Sequence, residues 1–74
     1  MRINYVTIAQ LVIAKMNRPI SPSEVVAELK VMGIPIKNSI LYYRTVGALI
    51  RETQKPNPKI IKTGRGLYGK PERK

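Results

Sequence analysis

Three observations predict an α+β fold, mainly α, in which three helices precede a C-terminal β-hairpin. Apolar residues recur at helical spacing in three successive segments between Tyr5 and Thr53. Short breaks separate those segments, one at Arg18-Pro19 and one at Gly33-Ile34-Pro35. After Gln54 the pattern changes: KIIKTGRGLYGK, Lys59 to Lys70, is two short runs around a Gly-Arg-Gly turn. At 74 residues the chain is a single domain with a modest core.

The first helix is predicted over Tyr5 to Asn17, with Asn4 as its cap. Val6, Ala9, Val12, Ile13 and Met16 form its inward stripe. Ile8 and Leu11 lie off that stripe and suit packing within the chain or a dimer contact. Pro19 ends the helix, and Ile20 stands alone as one extended residue.

SPSE, Ser21 to Glu24, is a helix start with a capping-box spacing and Pro22 at the first helical position. The second helix runs to about Met32, burying Val25, Val26, Leu29 and Met32 and leaving Glu28 and Lys30 in water. Gly33 and Pro35 stop it. The third helix starts at Lys37 or Asn38 and ends near Thr53. Two helices joined by so short a Gly-containing turn make a helix-turn-helix arrangement.

QKPNP breaks the third helix. Strands are predicted over Lys59 to Thr63 and Leu67 to Lys70, with Arg65 at the tip. Either Ile60 or Ile61 points inward, together with Leu67 and Tyr68. The tail, residues 71–74, is expected to fray.

Charge narrows the function. Lys and Arg total 14 against 4 acidic residues, for a net charge of +10. Such a field suits a polyanion. There is no Cys, His or Asp, which removes disulfides and most general bases, nucleophiles and metal ligands. No catalytic residue, metal site or cofactor is expected, and the chain is not expected to be an enzyme. TGRGLYG is a hairpin turn rather than a phosphate loop leading into a helix. No segment suits a bilayer span or a signal peptide, so a cytoplasmic protein without a membrane partner is expected.

The third helix carries two surfaces. Ile40, Tyr43, Val46, Gly47 and Ile50 share one side, and this is expected to be the core face. Lys37, Leu41, Arg44, Ala48 and Arg51 share nearly the opposite side, mixing cations with small or apolar groups.

The order of helix, extended residue, helix, turn, helix and basic hairpin resembles the winged helix-turn-helix family. SPSEVVAEL, GIPIKN, SILYYRTVGALIRE and KIIKTGRGLYGK carry the resemblance, which covers nearly the whole chain. In scale and charge the chain also looks like the small transcription regulators of archaeal viruses and plasmids. The resemblance implies that Ile20 pairs with the hairpin, or wing. It also implies that the third helix enters the major groove of double-stranded DNA. Arg44 then forks onto guanine, Asn38 pairs with adenine, and Leu41 touches a thymine methyl. Lys37, Thr45 and Arg51 lie at the margins, and Ser39 and Tyr42 suit phosphate. Lys62, Arg65 and Lys70 of the wing meet the backbone or the minor groove.

Each assignment competes with a plainer one. Arg44 could pair with Glu52 or Glu28, Asn38 could cap the helix, and Leu41 could be buried. For the whole chain, sequence-specific DNA binding competes with an architectural or excision-type DNA protein, an RNA-binding winged helix and a protein-interaction module. So small a reader favours a homodimer or adjacent copies, and no segment is left over to bind a small-molecule ligand.

Overall fold

A computed structural model describes residues 3–71. Three helices, α1 (Tyr5–Met16), α2 (Pro22–Val31) and α3 (Asn38–Thr53), precede a hairpin of β1 (Ile61–Gly64) and β2 (Leu67–Gly69). The fold is thus α+β and mainly helical, as composition and periodicity predict. The expected fraying of the tail concerns residues 72–74, which lie outside the described residues.

Local chemistry sets each boundary. The Asn4 side chain accepts from the Thr7 N–H at 3.1 Å and caps α1. At the other end Asn17 turns into the left-handed region, with φ 55°. The Glu24 carboxylate accepts from the Ser21 N–H at 3.0 Å and holds the start of α2. Gly33, with φ 83°, closes α2. Its N–H donates to the Lys30 carbonyl while the Ile34 N–H reaches back to the Leu29 carbonyl at 3.2 Å. This Schellman pattern swings Ile34 into the core and turns the chain toward α3.

The core gathers one face of each helix with residues from the hairpin region. Ala9, Val12 and Ile13 come from α1, Val25, Val26 and Leu29 from α2, and Leu41 and Leu49 from α3. Ile60 and Tyr68 close it from the C-terminal side. Ile20 is fully buried and pairs antiparallel with Tyr68, exchanging hydrogen bonds of 2.8 and 2.7 Å. The lone extended residue thereby stitches the α1–α2 connection to β2, as expected.

Several expectations are corrected. Met16 and Met32 end their helices beyond the packed region and are about half exposed. Leu11 is likewise exposed, whereas Ile8 packs against the core. Glu28 is largely covered and paired with Lys15 at 2.9 Å rather than facing water alone. The first strand begins at Ile61 because Ile60 is drawn into the core just before it. Gly64 belongs to β1, so only Arg65 and Gly66 form the turn, and a bulge lies between Lys62 and Gly64. Gly66 has φ 69°, which a side chain would strain. Leu67 is partly exposed, its side chain standing on the face away from Tyr68.

Candidate nucleic-acid interface

The largest correction concerns the phase of α3. Its buried side is Leu41, Thr45, Leu49 and Glu52, at spacings of four, four and three residues. Leu41 and Thr45 are fully buried. Neither can therefore stand on a reading surface, and both are withdrawn from the expected DNA contacts. Conversely Tyr43, expected in the core, is 80% exposed, and Ile40 and Ile50 are 40% and 42% exposed. Ser39, expected to suit phosphate, is exposed as well. Gly47 is not a packing contact: nothing lies within 4 Å of where its Cβ would be.

The physical reason lies in the size of the inward groups. Leu41 and Leu49 are fully buried in the core shared by the three helices, and Thr45 between them is a small inward group. A Tyr43 turned inward would need a partner for its buried hydroxyl. Glu52 disguises the true core stripe by ending it with a charge. That charge is satisfied: its carboxylate accepts from the Lys59 N–H at 2.8 Å and from Lys55 Nζ at 3.0 Å. These two donors, the backbone N–H foremost, hold the Glu52 carboxyl below its ordinary range. Sequence reasoning missed this clamp between the end of α3 and the hairpin. The available signal was a glutamate in phase with Leu41, Thr45 and Leu49.

The remaining expected residues are exposed. Lys37, Asn38 and Ser39 lie at the start of α3, with Tyr42, Arg44 and Arg51 farther along it. Lys37, not Asn38, occupies the cap position, and no side chain caps the helix there. Lys62, Arg65 and Lys70 are exposed on and beside the hairpin.

Ion pairing divides the cations. Lys15 pairs with Glu28, Arg18 with Glu24 at 2.6 Å, and Lys55 with Glu52. Arg18 foremost, then the Ser21 N–H, hold the Glu24 carboxyl below its ordinary range. Every described glutamate is thus engaged. Arg44 pairs with neither Glu52 nor Glu28, and Lys37, Arg51, Lys59, Lys62, Arg65 and Lys70 also have no acidic partner among the described residues. These cations belong to α3 and its cap, to the chain leading into the hairpin and to the hairpin itself; Lys30 of α2, also without an acidic partner among the described residues, donates instead to the Ile36 carbonyl at 3.0 Å.

On the outer side of α3, Ile40, Tyr43, Arg44, Gly47, Ile50 and Arg51 follow one another at helical spacing. A shallow groove of about 420 Å³ lies there, bordered by Tyr5 of α1 and by Tyr43, Arg44, Gly47 and Arg51. Among the described residues no cluster of acidic side chains could hold a metal ion, and no helix is long and apolar enough to cross a membrane. No family model matches the chain, and searches of curated proteins and of solved structures find no match.

Proposed function

We propose that the chain is a winged-helix protein that binds double-stranded DNA with sequence preference and acts as a transcription regulator. The observation that carries this reading is the division of charge. All described glutamates are consumed by Lys15, Arg18 and Lys55, and the cations left over lie on α3, at its start and around the hairpin, except Lys30 of α2, whose ammonium donates to the Ile36 carbonyl. A protein needing only solubility has no reason to segregate them. The bridge between Ile20 and Tyr68 adds support, because it docks the basic hairpin against the helical body.

In this reading α3 lies in the major groove, with Arg44 on guanine and Lys37, Asn38, Ser39, Tyr42 and Arg51 around it. Arg65 skirts a minor groove while Lys62 and Lys70 meet phosphates. Phosphate contacts supply affinity and base contacts supply preference. Selection from a randomised duplex pool at near-physiological salt tests the proposal. A defined motif is expected, relaxed at one position by Arg44→Ala and weakened chiefly at the flanks by Arg65→Ala. A palindrome with half-sites one turn apart would add a homodimer. Binding without a motif would favour an architectural protein.

The exposed Ile40, Tyr43 and Ile50 favour a second reading, a winged helix that docks a protein. That reading expects no retention of duplex at near-physiological salt.

A further inference from the structure

Ile40, Tyr43, Gly47 and Ile50 make an apolar stripe on the outer side of α3, and a cationic contact with phosphate does not use it. Gly47 lies in its middle. A mid-helix glycine weakens a helix relative to alanine. Yet a Cβ at position 47 would meet nothing within 4 Å, so nothing inside the chain asks for glycine there. The missing side chain instead deepens the groove bordered by Tyr5, Tyr43, Arg44 and Arg51.

We propose that this groove is the point of closest approach to DNA, and that Ile40 and Tyr43 beside it read the 5-methyl groups of thymine. The inference rests on the DNA-binding reading of α3 given above. Charge chooses the occupant. Arg44 and Arg51 rim the groove without an acidic partner among the described residues, so a polyanion fits. A second copy of the chain would bring the same cations, with its described glutamates already engaged. An apolar stripe facing a polyanion needs an apolar counterpart, and in the major groove of a duplex that counterpart is the thymine methyl. Ile40 to Gly47 spans about 10 Å of helix axis, matching about three base-pair steps. The ligand is therefore a duplex with thymines within about three base pairs of the guanine that Arg44 forks onto.

The test titrates the full chain, at one salt concentration, against the most enriched duplex from the selection. Copies of that duplex carry deoxyuridine for each thymidine in turn, which deletes only the methyl group. Affinity is expected to fall about fourfold at one or two positions. Ile40→Ala should erase the discrimination at one of them and Tyr43→Ala at the other. Gly47→Ala should melt no lower than the parent chain yet bind on the order of tenfold more weakly, because its methyl holds the two surfaces apart and weakens their dispersion attraction. Duplex binding that ignores both the methyl groups and Gly47→Ala overturns the inference and leaves DNA binding standing, as does binding with no enriched motif. Absence of duplex binding overturns both readings. Self-association seen by sedimentation and abolished in Gly47→Ala would then assign the groove to a protein helix.

Discussion

Glu52 and Thr45 are the polar side chains buried on α3, and they face opposite fates. The Glu52 carboxylate is held by the Lys59 N–H and the Lys55 ammonium, which lower its pKa from the ordinary 4.5. Stability from such a group is fully present above that ordinary value and is lost as pH falls through the depressed folded value. Glu24, lowered by Arg18 and the Ser21 N–H, acts in the same direction. Thermal melts taken from neutral pH downward should show an acid limb in this window. Glu52→Gln should flatten that limb and cost about 1 kcal/mol at neutral pH, through a weaker hydrogen bond to Lys59. An unchanged limb in the variant would remove the clamp from the acid response. Thr45 Oγ, by contrast, has no hydrogen-bond partner. Thr45→Val keeps the shape and deletes an unsatisfied hydroxyl, so it should stabilise by about 1 kcal/mol. Because the side chain is fully buried, duplex affinity should not change. A lower urea midpoint would show that the hydroxyl is bonded after all.

Among the elements, the helices were legible in the sequence and the orientation of the third was not. Asn4, the Ser21–Glu24 start signal and Gly33 are local chemistry, and each works in the fold as its residue type dictates. The phase of α3 depends on tertiary packing. Two stripes compete there, and the bulkier one, Ile40, Tyr43 and Ile50, suggests a core by size alone. The fold buries the leaner one, where Leu41 and Leu49 alternate with a small Thr45 and end at a neutralised Glu52. The cations of the candidate site survive this rotation because Arg44 and Arg51 stand between the two stripes, whereas Leu41 and Thr45 do not survive it. The hairpin is the element with the least core of its own, and it is fastened through Ile60, Tyr68 and the bridge to Ile20. Ile20→Ala should therefore cost about 2–4 kcal/mol. Hydrogen exchange at Tyr68, whose N–H donates to the Ile20 carbonyl, should accelerate more than at Leu29. Equal acceleration at both would mean that the hairpin and the helices open as one unit.

At the scale of the whole molecule, the chain carries a net charge of +10, and its radius of gyration is 11.7 Å. At low salt the Debye length exceeds this radius, since it is about 30 Å at 0.01 M and about 8 Å at physiological ionic strength. Unpaired cations on α3 and the hairpin then repel one another across the entire body. The opposing ion pairs, Lys15–Glu28, Arg18–Glu24 and Lys55–Glu52, each include a well-exposed cation, and pairs of that kind contribute little. Added sodium chloride should therefore relieve more repulsion than attraction, and the melting temperature should rise. Duplex binding should respond in the opposite direction. If about five cations meet phosphates, the log–log slope of affinity against salt is on the order of −4 to −5. Opposite signs for folding and binding, measured on one preparation across one salt series, identify the same surplus charge as costly to the isolated chain and useful to its complex. A melting temperature that falls with salt would mean that the ion pairs outweigh the repulsion. A binding slope near zero would leave the cations of α3 and the hairpin without phosphate partners.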